Sequence, residues 1–298
     1  MSAYSLQRQR EVAVPLTLRP ASKADVPECG RVCYDAFNTI AARHGFPPEY
    51  PSVEVATTLV SELIEHPGFF ALVAECDGRF VGSGFLDERS AIVGVGHVTV
   101  APDMQGRGVG RTLMTALLRR CAERRVPGVR LLEAAYKNRS ICLYTKLGFD
   151  FREPIAVMQG DPMGLRIPGY GVRAAMVADF EMCNALCLRV HGHDRRGELS
   201  EALAHGTARV VERGGRITGY TTGIGFYAHS VAETNDDLQA LIGAAEAFPG
   251  PGFLVPMRNP ELLRWCLAHG LRPVLVLNLM TIGLYSEPRG AFLASVWY

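Results

Sequence analysis

Hydrophobic positions change period several times along the chain, and the changes predict alternating helices and strands. In residues 108–125 apolar residues recur at helical spacing, through Val109, Leu113 and Leu117. Two apolar runs flank Asp77-Gly78, which is a strong hairpin signal. The pattern in the first half therefore predicts strands at 16–20, 69–76, 79–86, 91–100, 129–135 and 149–158, and helices at 22–42, 53–66, 108–125 and 140–147.

Two segments of the first half of the sequence are repeated in the second half. Residues 19–33 and 173–187 are identical at six of fifteen positions, and residues 71–82 and 208–219 at six of twelve. The two matches come in the same order, which favours an internal duplication over two unrelated α/β domains. With a linker predicted at Gln159–Gly171, which is rich in Gly and Pro, we expect an α/β (α+β) protein with domains at 1–160 and 161–298.

Composition excludes several classes of protein. The 298 residues carry a net charge of +1, with 48% hydrophobic and 20% charged residues, which argues against disorder and against bulk electrostatic binding of nucleic acid. No apolar run reaches the ~20 residues of a membrane span, and the first residues lack the apolar stretch of a signal peptide. We therefore expect a cytoplasmic protein. The cysteine pairs Cys29/Cys33 and Cys183/Cys187 stand four apart and are predicted to be buried in helices.

A glycine-rich loop is the most informative motif. After the strand that ends at Val100, glycines stand at 106, 108 and 110 and the predicted helix follows. Glycines allow backbone amides to surround an anion at a helix N-terminus, which is pyrophosphate-binding chemistry. Arg111-Thr112 replaces the Lys-Ser or Lys-Thr of a P-loop, and antiparallel strands before the loop argue against a Rossmann turn.

Two motifs together resemble one family. The run from Gln105 to Gly110, led in by Val100, is similar to the Gln/Arg-x-x-Gly-x-Gly/Ala signature of GNAT-type N-acetyltransferases. Asn138 followed by residues 143–149 (Leu-Tyr-Thr-Lys-Leu-Gly-Phe) resembles the second signature of that family. The resemblance covers about 16–160, is fainter in the second half, and implies two GNAT-like domains. Each would be a twisted, mixed and mostly antiparallel sheet flanked by helices.

The resemblance also implies acetyl-CoA as the co-substrate and a role for each motif residue. The strand backbone would pair with the pantetheine arm, the loop amides would hold the pyrophosphate, and the Tyr144 hydroxyl would protonate the leaving thiolate. Asn138 stands six residues before Tyr144, where the family has seven, so either the turn is tighter or Lys137 takes the Asn position. The implied cofactor-binding residues are Val98, Val100, Gln105, Gly106, Arg107, Gly108, Val109, Gly110, Arg111, Asn138 and Tyr144.

The sequence leaves the identity of the general base open. Gly94 and Gly96 stand where many relatives carry an acidic or histidine side chain, so the candidates are Glu133, His97 and a water-mediated route. In the loop between the first two helices, His44, Phe46 and Tyr50 would suit a partly aromatic acceptor pocket, and a proline-stiffened surface loop is the alternative.

The second half lacks these motifs. Asp236 and Asp237 replace the glycine loop, and the last helix has Trp265 and Cys266 where the first half has Tyr144. Carboxylates suit a helix N-terminus and would repel a pyrophosphate, so we predict that this degenerate copy does not bind acetyl-CoA and is structural. The histidines at 191 and 193 with Asp194 are too weak a pattern for a metal site, and we expect none.

These observations predict an acetyl-CoA-dependent N-acetyltransferase. A primary amine on a small molecule or peptide would attack the thioester directly, in a monomer or homodimer that binds neither nucleic acid nor membrane. One alternative is a non-catalytic acyl-CoA sensor or partner-binding protein. Another alternative is an enzyme that resembles mycothiol synthase, which is a tandem enzyme that uses its C-terminal copy. The intact motifs in the first half of this chain argue against that alternative.

Overall fold

The computed structural model describes residues 15–297, which divide into two compact units. Unit 1 contains the described residues up to Phe85 together with His97–Arg120. Unit 2 contains Leu86–Gly96 and the described chain from Cys121 onward. Within residues 15–297, no helix is long and apolar enough to cross a membrane.

Unit 1 is built from the strands and helices that the first-half pattern predicts. In chain order these are β1 (Thr17–Pro20), α1 (Val26–Arg43), α2 (Val53–Glu65), β2 (Phe69–Cys76), β3 (Arg79–Asp87), β4 (Ile92–Val100) and α3 (Val109–Glu123), with the ends of β3 and α3 and the first half of β4 assigned to unit 2. The strand order is β1-β2-β3-β4. The predicted hairpin forms at Asp77 and Gly78, both with positive φ.

Unit 2 holds the remaining elements in two sheets. The first part comprises β5 (Gly128–Ala134), α4 (Asn138–Lys146), β6 (Asp150–Gln159), β7 (Gly171–Ala174), α5 (Phe180–His191), α6 (Arg196–Ala204), β8 (Arg209–Arg213) and β9 (Arg216–Thr221). The second part comprises β10 (Ser230–Ala232), α7 (Asn235–Gly243), β11 (Phe253–Pro256), α8 (Pro260–Ala268), β12 (Arg272–Gly283) and β13 (Ala291–Leu293). The strand orders are β4-β5-β12-β6-β11 and β13-β10-β9-β8-β7. The mixed α/β class expected from the sequence is confirmed.

Strand β12 lies between β5 and β6. It pairs antiparallel with β5 from Leu277 opposite Ala134 to Gly283 opposite Gly128, and with β6 on its other side. Its buried Leu277 and Leu279 pack in one core cluster with Ile155 of β6. A strand from the second half thus completes the sheet of the first half. The domain boundary at residue 160 stays a prediction.

The same ion cluster occurs once in each half. Arg19 on β1 donates to Asp25 at 2.8 and 2.7 Å and to Glu75. Arg173 on β7 makes the matching bonds to Asp179, at 2.6 and 3.0 Å, and to Glu212. Each cluster ties the first strand of its half to the turn before the next helix and to the neighbouring strand.

The cysteine pairs lie where their spacing places them. Cys29 and Cys33 are buried on α1, and Cys183 and Cys187 are buried on α5. Burial raises the pKa of the Cys183 thiol to about 12, which keeps it protonated and unreactive. The interpretation of these residues as small core side chains is confirmed.

Candidate active site

The glycine loop in unit 1 leaves its backbone open at the start of α3. Gly106 and Gly108 have φ values of 80° and 88°, a region that favours glycine. A Cβ added at Gly108 would meet no described atom within 4 Å. The Gln105 side chain turns back onto the loop. Its amide donates to the Val100 carbonyl oxygen at 3.1 Å and closes the loop.

The charges around this loop favour an anion. The first turn of α3 contains no acidic side chain, and Arg107 and Arg111 are exposed at the loop. A helix N-terminus carries partial positive charge from its unpaired amides. Amides, helix dipole and guanidinium groups therefore all suit the pyrophosphate that the sequence predicts here.

His97, inside strand β4, has a positive φ of 48°, which is uncommon for a residue other than glycine. Its ring lies 5.8 Å from Phe37 and 6.5 Å from Tyr50, measured between ring centroids. Asn38 holds Tyr50 through both of its backbone groups, at 2.9 and 3.0 Å. The structure thus gives His97 an aromatic surrounding that includes Tyr50 of the predicted acceptor loop.

The other members of that predicted loop behave differently. His44 is exposed, and Phe46 has 36% of its surface exposed. The sequence does not mark Phe37 and Asn38, which contact Tyr50, as site residues. Both lie inside the helical pattern of α1. Only the spacing of Phe37 from Ala41 on one helix face could have marked it as inward-facing.

In unit 2, Trp297 covers the glycines of β4. A Cβ at Gly94 would lie 2.6 Å from the Trp297 carbonyl oxygen, and a Cβ at Gly96 would run into the indole ring. The segment that carries Trp297 is fixed, because Arg195 donates to Ser295 at 3.0 Å. The two glycines therefore have a packing reason, which explains why β4 offers no side chain there.

Unit 2 also brings three candidate residues together. Tyr144 on α4 is buried, with 7% of its surface exposed, and lies close to the Glu133 carboxylate on β5. Burial and the Glu133 carboxylate raise the pKa of Tyr144 well above its usual value of 10. The Lys137 Nζ lies 3.7 Å from Glu133 Oε1. The tyrosine therefore keeps its proton at neutral pH, as an acid must.

The start of α4 gives Asn138 and Lys137 different surroundings. Asn138 is exposed and is the first residue of α4, while Lys137 is 9% exposed and caps the helix. Asn259 caps α8, a helix of the same nine-residue length, seven residues before Cys266. Lys137 stands the same seven residues before Tyr144. Lys137 thus occupies the cap position that an asparagine takes in the second half.

In the second half, side chains occupy the start of α7. The Thr234 hydroxyl accepts from the Asp237 amide at 3.4 Å and donates to the Asp237 carboxylate at 2.6 Å. Asp237 is fully buried and also accepts from Thr218. These bonds occupy the N-terminus of α7, where α3 has the glycine loop.

The histidines of residues 191–196 belong to the interior of unit 2. His191 is fully buried, His193 is 9% exposed, and the His191 ring packs 5.1 Å from Phe292. Burial and the Arg195 guanidinium lower the pKa of His193 to about 4. Among residues 15–297 no group of three metal-ligating side chains is found.

Comparison with known proteins identifies the segment that holds both motifs. Residues 67–150 match the family model of the acetyltransferase (GNAT) domain. Mycothiol acetyltransferase from Tsukamurella paurometabola is 37% identical over 82 residues, which are 26% of this chain and 28% of that protein. The chain thus matches less than a third of this curated relative.

Two solved structures share the fold over nearly the whole chain. A proposed acetyltransferase from Pyrococcus horikoshii aligns with a TM-score of 0.70 at 18% identity, covering 93% of this chain and 94% of the other. A GCN5-related N-acetyltransferase from Sphaerobacter thermophilus aligns with a TM-score of 0.63 at 17% identity, covering 92% and 98%. At these identities the likeness establishes the fold alone.

Proposed function

We propose that this protein transfers the acetyl group of acetyl-CoA to a primary amine by direct attack of the amine on the thioester. The GNAT domain at residues 67–150 supports this kind of reaction and acetyl-CoA as the co-substrate. The acceptor is an amine on a small molecule or a peptide. The localisation and the oligomeric state stay as predicted from the sequence.

The glycine loop carries the proposal. Its positive-φ glycines, the open space at Gly108 and the exposed Arg107 and Arg111 fit a pyrophosphate. The side chain of Gln105 keeps this shape without taking up the amides of the loop. In the proposed complex the amides of residues 106–111 bind the pyrophosphate, and the backbone of Val98 and Val100 pairs with the pantetheine arm.

Tyr144 and Glu133 perform the proton transfers in this proposal. Tyr144 is protonated because its pKa is raised, so it can give its hydroxyl proton to the thiolate that leaves. Glu133 lies next to it and receives the proton of the amine. His97 lies among Phe37 and Tyr50, and we assign it to contact with the acceptor.

The second half is a copy that has lost cofactor binding. The repeated arginine clusters and the matched nine-residue helices α4 and α8 support the duplication. The Asp237 carboxylate at the start of α7 opposes a pyrophosphate there. Asn235 and Asn259 bond reciprocally, at 3.1 and 2.7 Å, and join the starts of α7 and α8. Its role is structural, because β12 completes the first sheet.

The test uses the full chain, acetyl-CoA and a panel of amines: spermidine, tyramine, glucosamine, lysine and a short peptide with a free N-terminus. Thiol release and the acetylated product are measured. Gly108→Trp fills the loop and should abolish acetyl-CoA binding, while Gly164→Trp, at another open glycine with positive φ, should bind normally. Native affinity in the Gly108 variant would contradict the loop assignment.

Tyr144→Phe separates binding from chemistry. We expect kcat to fall by about 100-fold, the low end for loss of a general acid, with the acetyl-CoA Kd changed less than twofold. Tyr227→Phe, at an exposed tyrosine, is the control. Equal losses in binding and turnover would remove the acid role, and binding without turnover on every amine would favour a non-catalytic acyl-CoA sensor.

A further inference from the structure

We propose that Lys137 is a positioning residue that acts through Glu133, and that Glu133 and Tyr144 form one acid–base pair serving both ends of the reaction. This inference rests on the proposed function. It goes beyond that function because it gives a role to a lysine at the family's asparagine position and joins the two proton transfers.

The backbone fixes Lys137 between the two catalytic candidates. Its amide donates to the carbonyl of Ala134, the last residue of β5, at 2.9 Å. Its own carbonyl accepts from the Ile141 amide at 3.2 Å and begins α4. Lys137 thus joins the strand that carries Glu133 to the helix that carries Tyr144. Its side chain is therefore close enough to reach Glu133.

The ion pair lies in a shielded environment. The side chains of Lys137 and Glu133 are 10% and 11% exposed, and Nζ is 3.7 Å from Oε1. Charges in such surroundings interact more strongly than at the surface, and removing one partner leaves the other uncompensated. Lys137 therefore stabilises an ionised Glu133, and this carboxylate is the one that lies close to Tyr144.

The pair balances the reaction with three proton movements. The amine nitrogen forms a bond to the acetyl carbon and gives its proton to Glu133, while the carbon–sulfur bond breaks. Tyr144 gives its proton to the thiolate, and the protonated Glu133 returns a proton to the Tyr144 oxygen. The products are the amide and the free thiol of CoA, and both side chains are back in their starting states. No base on β4 is needed, which agrees with the glycines there.

The experiment measures kcat and KM against pH with acetyl-CoA and the fastest amine of the panel. Lys137→Gln and Lys137→Met remove the charge, Lys137→Arg keeps it, and Lys146→Gln removes an exposed lysine at the end of the same helix. Circular dichroism and the acetyl-CoA Kd confirm that each variant is folded. Glu133→Gln and the double variant Glu133→Gln/Lys137→Gln complete a cycle.

We expect both charge-removing variants to lose about tenfold in kcat, about 1.4 kcal/mol of barrier. The acidic limb of their pH profiles should move to higher pH, because the carboxylate loses its nearby positive charge. Lys137→Arg should recover most of the rate, and Lys137→Gln should have no effect in the Glu133→Gln background. A wild-type profile in Lys137→Gln, or an additive loss in the double variant, would overturn the inference. A wild-type protein without turnover on any amine would instead contradict the proposed function.

Discussion

Two histidines hold the same register position in the two halves and have different surroundings. Four residues after His97, the Ala101 amide donates to the Val81 carbonyl at 2.9 Å. Four residues after His229, the Glu233 amide donates to the Thr218 carbonyl, also at 2.9 Å. Val81 and Thr218 are themselves equivalent in the repeat. His97 is partly exposed, whereas His229 is fully buried. One position thus carries a candidate reactive group in one half and a core residue in the other.

The bonds of His229 define its protonation state. Its Nδ1 lies 3.0 Å from Glu198 Oε2, and its Nε2 lies 2.9 Å from the Tyr220 hydroxyl. A carboxylate only accepts, so Nδ1–H donates to Glu198 and Nε2 accepts from Tyr220. Burial, together with the Arg195 guanidinium, lowers the pKa of His229 to about 4. The neutral ring is therefore the form that fits the core.

This lowered pKa predicts a loss of stability in acid. The unfolded histidine titrates near 6.5 and the folded one near 4, so the stabilisation is complete above pH 6.5 and is lost as the pH falls toward 4. The loss from this group is at most about 3 kcal/mol. Urea unfolding between pH 7.5 and 4 measures it. His229→Asn should lower stability at pH 7 but flatten the slope, whereas His44→Asn, at an exposed histidine, should retain it. An unchanged slope in His229→Asn would contradict the assignment.

At the scale of elements, local sequence predicts more than non-local pairing. The glycine loop, the Asp77-Gly78 hairpin and the helix periods are local signals, and each predicted first-half element occurs with its ends shifted by a few residues at most. The insertion of β12 between β5 and β6 has no local signal, because strand partners are chosen across more than a hundred residues. The surroundings of His97 were likewise hidden, since a single positive φ reverses the strand alternation that the sequence implies.

The same difference between local and non-local signals applies to the candidate site. The loop residues could be predicted because the spacing of the glycines is itself what an anion-binding loop requires. The sequence could not show whether Lys137 or Asn138 is buried, because a one-residue difference in the turn after β5 decides it. Sequence spacing left both open, and only the helix start distinguishes them.

The glycines of β4 predict a packing defect when one is enlarged. Gly96→Ala places a methyl group against the Trp297 indole, and overpacking of this kind costs about 1–3 kcal/mol of unfolding free energy. Gly171→Ala, where a Cβ meets no described atom within 4 Å, should cost much less. Chemical denaturation measures both. Trp297→Leu should offset part of the Gly96→Ala loss, and strictly additive effects would contradict direct contact.

At the scale of the whole molecule, the sheet that holds Glu133 depends on the second half of the sequence. Strand β5 has β12 as its antiparallel partner along residues 128–134, and β6 has β12 on one side and β11 on the other. The repeat in the sequence therefore does not correspond to two separable sheets. The second half of the sequence, which lacks the glycine-loop motif, supplies the strand that pairs with β5 and β6 beside the candidate acid–base pair.

This dependence predicts that residues 1–160 do not fold alone. Removing 161–298 leaves β5 and β6 with open edges and exposes the buried Ile155 and Val157, and such edges favour aggregation. We expect the fragment to be insoluble or to lack a cooperative thermal transition. The control is the full chain with a protease site inserted at the exposed Gly164, because a cut there breaks the chain and keeps β12 present. That nicked protein should retain its Tm within a few degrees and should bind acetyl-CoA. A soluble 1–160 fragment with a sharp transition would show that β12 is dispensable.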